Sequence, residues 1–222
     1  MSAPLALVIG NKNYSSWSMR PWVLMRARGI PFRERMLKFG SQDWKDHIGG
    51  YSPSGLVPVL WEGEPGGGFA TWDTLAIAER LHELFPERGI WPADAQARAR
   101  ARSAAAEMHS GFRALRGAMP VNIRSSHPGK GMNDAVATDI ARISAIWSQA
   151  AGPFLFGDFC AADAFYAPVA TRFVTYAVAL QGAAKRYQRA LLDSPAVKAW
   201  SAEALLETEF YAEDEPYASA PG

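Results

Sequence analysis

The chain has 222 residues, 49% of them apolar and 20% charged, with a formal net charge of +1. That length supports one large or two small packed domains, and the near-neutral balance excludes a dedicated nucleic-acid binder, which carries a basic excess. No apolar run reaches the length of a membrane span, Met1–Pro4 lacks a basic n-region ahead of the short run Leu5–Ile9, and the single cysteine, Cys160, permits no internal disulfide, so a cytoplasmic protein with no membrane partner is expected.

Leu5–Ile9 reads as a strand and the run from Trp22 to Ala27 as part of a helix. A second strand over 30–37 follows, with Pro31 at its entrance. Ser41–Ile48 is a short helix expected to stop at Gly49-Gly50, Val57–Trp61 a strand, Gly63–Gly68 a turn and Phe69–Trp72 another strand. Asp73–Phe85 places Leu75, Ala76, Leu81, Leu84 and Phe85 at helical spacing. The order is therefore β-α-β-α-β-β-α. Pro86–Pro92, with two prolines and a glycine, marks a boundary, beyond which strand signals vanish. Helices are predicted over 93–119, 133–150, 161–180, 184–192 and 195–208, and the Arg98, Arg100, Arg102 run is a solvated helix face. The polar, proline-containing tail 213–222 reads as loosely held. Two domains are expected, 1–86 and 93–222.

The hexapeptide Ser15-Ser16-Trp17-Ser18-Met19-Arg20 lies where the first strand gives way to the first helix. Hydroxyls and free amides at a helix start favour an anion, and a thiolate is one. The bland alternative is that Ser15 or Ser16 only caps the helix. The same holds for Asp73 and Thr74 at their strand-to-helix junction, while Pro58 after Val57 reads by itself as a strand-entrance proline.

Taken in order, these motifs resemble the cytosolic glutathione transferases over nearly the whole chain. Ser15–Arg20 is similar to the serine-type motif of the zeta class (the maleylacetoacetate isomerases), which reads Ser-Ser-Cys-Ser-Trp-Arg. Ser52–Leu60 resembles the segment ending in that family's cis-proline, Trp72–Ile77 its γ-glutamyl-binding pair, and Gly157–Asp163 its capping box. The resemblance implies a thioredoxin-like α/β domain followed by an all-helical domain that contributes the electrophile pocket. It implies Ser15 as the catalytic residue, with Ser16 the rival one place along and Tyr14 a weaker one. It implies that Ser15, Ser16, Trp17, Val57, Pro58, Asp73 and Thr74 bind glutathione, Val57 pairing with the cysteinyl backbone, Asp73 with the α-amino group and Thr74 with the α-carboxylate. Trp17 stands where the zeta class has cysteine, and Leu56 where many relatives have a polar residue.

A serine donor suffices for the chemistry. Moving a thiol from a pKa near about 8.5 down by roughly two units takes about 2.7 kcal/mol, and a hydroxyl donating to a charged group contributes about 1.5–3 kcal/mol. The expected activity is transfer of glutathione to an electrophile, a detoxification reaction, with glutathione as co-substrate and no metal, since His47, His82, His109 and His127 show no ligand spacing. The alternatives are a glutathione-dependent cis-trans isomerase, a glutathione peroxidase, or a non-catalytic glutathione-binding module. Met108, Phe112, Met119 and Asn122 flank the expected electrophile pocket or belong to the core, and Arg113, Arg124 and Arg172 are candidates for an acidic electrophile. The resemblance also implies a homodimer.

Overall fold

The structure is a computed structural model that describes residues 4–218. Met1–Ala3 and residues 219–222, the end of the expected tail, lie outside the described residues. The first part of the chain runs β1 (Leu5–Ile9), α1 (Ser16–Ala27), β2 (Arg33–Met36), α2 (Gln42–Tyr51), β3 (Val59–Glu62), β4 (Phe69–Trp72) and α3 (Thr74–Leu84), the order read from the sequence. The four strands form one sheet in the order β2-β1-β3-β4, with β1 parallel to β2 and antiparallel to β3, and β4 antiparallel to β3. This is a thioredoxin-like α/β domain. A helical region follows: α4 (Ala95–Ser110), α5 (Arg113–Ala118), α6 (Asp134–Trp147), α7 (Ala161–Thr175), α8 (Gly182–Asp193) and α9 (Pro195–Ala204).

Strand alternation divides the sheet between two cores. Leu5, Leu7 and Ile9 point into a large cluster shared with α1, α3 and the helical region, with Trp22, Trp147 and Trp200 fully buried in it. Ala6 and Val8 face the other way, against Leu37, Val59 and Trp61 under α2. One continuous core therefore joins α1 to α7 and α9 across the Pro86–Pro92 connection, and that fixes where α1 points.

Several predicted boundaries move. The strand expected over 30–37 shortens to Arg33–Met36, α2 runs through Gly49-Gly50 to Tyr51, and β3 begins two residues after Val57. The single helix expected over 93–119 breaks at Gly111-Phe112, where Phe112 takes a left-handed conformation (φ 56°) that no continuous helix accommodates. The helices expected over 161–180 and 195–208 end at Thr175 and Ala204. The tail is not loosely held across its described part. Glu215 is 2% exposed and bonded to Tyr14 and Arg124, and the Tyr217 hydroxyl donates to Ala118 O at 2.6 Å. Gly157–Asp163 forms the expected capping box: the Asp163 carboxylate accepts from the amides of Cys160 (2.8 Å) and Leu155 (3.0 Å) and from the Tyr187 hydroxyl (2.9 Å).

Candidate functional site

Ser15 ends an irregular but buried loop, Gly10–Ser15, between β1 and α1. The loop's polar groups are satisfied by Ser18 of α1 and by side-chain and backbone groups of the helical region. The Gly10 amide donates to Ser18 Oγ (3.1 Å), Lys12 and Asn13 amides to the two oxygens of Glu207 (2.6 and 3.1 Å), and Asn13 Nδ2 to Asn122 Oδ1 (2.9 Å). The Arg124 amide donates to Asn13 Oδ1 (2.8 Å), and Trp200 Nε1 to Lys12 O (3.0 Å). Helical-region residues thus hold the entry to α1, as buried polar backbone requires.

Ser15 is the N-cap of α1. Its Oγ accepts from the Ser18 amide at 3.2 Å and donates to Ser18 Oγ at 2.7 Å, and the residue is 7% exposed. Ser16 is half-buried, with no hydrogen-bond partner for its hydroxyl among the described residues, and the Trp17 amide likewise has no protein acceptor there. All three line a cleft of about 860 Å³ together with Tyr14, Val57, His109 and Arg172. Tyr14 is otherwise engaged: its hydroxyl has Glu209 O (2.8 Å) and the Glu215 carboxylate as acceptors for its one proton, and burial together with the Glu215 contact pushes its pKa up to about 12. Such a phenol is a poor rival donor.

A second hollow of about 390 Å³ opens beyond Trp17, which both cavities share. Ser54, Leu56, Val57, Pro58, Trp72, Asp73 and Thr74 complete its wall. The Val57–Pro58 bond is cis, and the Val57 amide and carbonyl have no partner among the described residues. Asp73 caps α3 at φ 73°, a left-handed conformation uncommon for a non-glycine residue, and its Oδ1 accepts from the Leu75 amide at 2.8 Å. Its other oxygen lies 3.3 Å from His109 Nε2, while Thr74 Oγ1 lies 3.4 Å from His109 Nδ1. Burial, opposed by Asp73 but helped by Arg20 and Arg116, moves the His109 pKa down. The structure thus brings Ser15, Ser16, Trp17, Val57, Pro58, Asp73 and Thr74 around two adjoining hollows.

The residues expected beside an electrophile pocket divide. Met108, Phe112, Met119 and Asn122 are buried: the first three are core, and Asn122 is paired with Asn13. Arg124 is a clamp, donating to the carbonyls of Glu207 and Glu209, to the Tyr14 hydroxyl and to Glu215. Arg113 and Arg172 do line the larger cleft, and Arg116 joins them. Burial first, then repulsion from Arg116, takes the Arg172 pKa down to about 10, and burial followed by repulsion from Arg113 lowers that of Arg116. None of the three has a carboxylate ion-pair partner among the described residues.

Sequence reasoning missed Arg116, His109 and Asp214 as wall residues, and Glu207 as the anchor of the loop. Arg113 and Arg116 at a spacing of three would share a helix face, a signal present in the sequence. Glu207 contacts residues nearly two hundred positions away, and no local pattern announces such a pairing.

Residues 14–84 match the family profile described as Glutathione S-transferase, N-terminal domain. Dichloromethane dehalogenase of Methylorubrum extorquens is 33% identical over 67 residues, which are 28% of this chain and 21% of that protein, so the likeness spans about a fifth of the relative. Solved structures share the fold over most of the chain. A glutathione transferase homolog from Burkholderia, with bound glutathione, gives a TM-score of 0.68 at 23% identity, covering 90% of this chain and 98% of that one. A maleyl pyruvate isomerase, described as a bacterial glutathione S-transferase in the zeta class, gives 0.66 at 21% identity with 90% and 97% covered. Glutathione transferase Omega 2S from Trametes versicolor gives 0.67 at 18% identity with 89% and 93% covered.

Proposed function

We propose that this protein is a serine-type glutathione transferase: it binds reduced glutathione across the two hollows, ionises its thiol at the start of α1 and directs the thiolate at an electrophilic substrate. The observation that carries the reading is the conjunction of an unpaired Val57 backbone, the Asp73–Thr74 junction and the Ser15–Ser16–Trp17 turn around two adjoining hollows. Residues 1–86 would hold the tripeptide and 93–222 would supply the electrophile pocket. The cysteinyl backbone adds to Val57 as a short strand, the α-amino group meets Asp73 and the α-carboxylate meets Thr74. At the sulfur, the Ser15 hydroxyl proton swings from Ser18 Oγ to the thiolate, leaving Ser18 Oγ with the Gly10 amide. The free Trp17 amide and the helix start add to the same field. Trp17 in place of a cysteine gives the turn an aromatic wall rather than a second thiol.

A second reading, the zeta-like isomerase in which the thiolate adds to a conjugated double bond and leaves again, is favoured by one observation. Arg113, Arg116 and Arg172 face the larger cleft without carboxylate partners, a setting suited to an acidic substrate. Phe69, 62% exposed on edge strand β4, supports the proposed homodimer, in which the first domain of one chain packs on the helices of the other. Retention on a glutathione column, followed by assays with a nitroaryl halide, a hydroperoxide and a maleyl diketo acid, separates transferase, peroxidase and isomerase. Turnover of the first supports the main reading, turnover of the third alone supports the second, and retention with no turnover leaves a binding module.

A further inference from the structure

Among the described residues, Asp214 is the only carboxylate that lines the larger cleft, whose wall also holds Ser15, Ser16 and the cations Arg113, Arg116 and Arg172. The segment that carries it is pinned on both sides. Glu209 O and the Glu215 carboxylate take up the donors of Tyr14 and Arg124, and the Tyr217 hydroxyl donates to Ala118 O at 2.6 Å. The Asp214 amide closes a turn on Tyr211 O at 3.0 Å. The Asp214 carboxyl takes no part in this fastening: it has neither a hydrogen bond nor an ion pair among the described residues. A carboxyl on a fixed segment, spared from the bonds that fix it, is free to meet a bound molecule.

Its surroundings favour the protonated form. Burial first, then Glu213 and Glu215 of the same segment, raise its pKa to about 6, against the attraction of Arg172 on α7. Tyr211 beside it and Tyr176 at the end of α7 are pushed upward by burial, so neither phenol brings a charge near neutrality. The remaining titratable groups of the wall are Tyr14, His109 of α4, and Arg113 and Arg116 of α5. Arg172 matters once the proton has gone, because it stabilises the carboxylate left behind.

Resting on the glutathione reading above, we propose that Asp214 is a further catalytic residue, a general acid that protonates the carbonyl oxygen of conjugated-carbonyl electrophiles as the glutathione thiolate adds to them. The sulfur electron pair forms the C–S bond at the β-carbon. The C=C pair moves to the bond beside the carbonyl, and the C=O pair moves onto oxygen. The Asp214 O–H bond breaks and its proton goes to that oxygen, giving an enol in place of a strongly basic enolate. The enol becomes the ketone by proton exchange with water, and Asp214 recovers from solvent the proton that the ionising thiol released there. The sum is one thiol added across one double bond, with no further reactant. A nitroaryl halide makes no such demand, since its halide leaves as an anion.

The test uses the full-length protein, glutathione and two probes, benzylideneacetone, which needs the proton, and chlorodinitrobenzene, which does not. For each, kcat/KM is followed against pH. In wild type the enone profile should be a bell, rising as the thiol ionises and falling as Asp214 loses its proton, whereas the nitroaryl profile should rise to a plateau. Asp214→Asn should leave only the rising limb for the enone and lower the enone-to-nitroaryl ratio near pH 6 by about tenfold or more. Asp214→Glu should restore part of that ratio. A wild-type enone profile that reaches a plateau would overturn the inference, and this decision needs no variant to fold. So would an Asp214→Asn protein that loses both activities in proportion or keeps the wild-type ratio, since the side chain would then only shape the cleft. A wild type that neither binds glutathione by calorimetry nor turns over either probe overturns the glutathione reading and this inference together. One that turns over the nitroaryl halide but not the enone overturns this inference alone.

Discussion

Replacing Glu207 by alanine attacks the site from a distance. Its two carboxylate oxygens accept from the amides of Lys12 and Asn13 at 2.6 and 3.1 Å, and Glu207 is 9% exposed, so water has little access to take over. Each buried amide left without an acceptor costs about 1–3 kcal/mol, and two of them together about 2–4 kcal/mol once the loop relaxes. Glu207→Gln keeps one accepting oxygen but turns an NH2 toward the other amide, so it should lose about 1–3 kcal/mol and fall between alanine and wild type. Urea unfolding followed by tryptophan fluorescence, at unchanged slope, measures the loss as a shift in midpoint. Because the same loop delivers Ser15 to the cleft, glutathione affinity should weaken in parallel with stability. An alanine variant with a wild-type midpoint would show that the loop does not depend on Glu207, and would remove that carboxylate from the construction of the site.

Asp163→Ala should be among the most destabilising single changes, by at least about 3 kcal/mol, since two amides and the buried Tyr187 hydroxyl lose their acceptor at once; a thermal melt within a degree or two of wild type would contradict the capping box. Asp214 gives a pH prediction. Burial, then Glu213 and Glu215, raise its pKa from 3.8 to about 6, so the native state holds its proton more tightly than the unfolded chain, and stability falls as pH rises through that window. Asp214→Asn should therefore melt higher than wild type at pH 8 and at the same temperature near pH 4, and equal melting at both pH values would refute it.

The sheet was legible because β1 and β4 are short apolar or aromatic runs bounded by turn residues, and their predicted limits, Leu5–Ile9 and Phe69–Trp72, match the structure. The α3 cap was legible for the same reason: Asp73 stands at a junction where a carboxylate accepts a free amide. The break at Phe112 was not. Its left-handed backbone closes α4 without a proline, and only the preceding Gly111 hints at it. Nor was the ordered tail legible, because composition describes solvent-facing residues well and says nothing of a glutamate such as Glu215 that finds Tyr14 and Arg124 across the fold. Arg124 shows the same limit from the other side: its chemistry suits an acidic ligand, but carbonyls and Glu215 already occupy its donors.

The most direct test of the central claim is the thiolate absorbance of bound glutathione against pH, in wild type and in the Ser15→Ala and Ser16→Ala variants. The account predicts a bound thiol that ionises near about 6.5 in wild type, against about 8.5 for a free thiol. It predicts a midpoint moved back toward the free value in Ser15→Ala and little changed in Ser16→Ala, whose unpartnered hydroxyl makes it the competing donor. A midpoint that stays low in Ser15→Ala and rises in Ser16→Ala would move the role one residue along. A wild-type thiol that ionises like free glutathione would contradict the account outright.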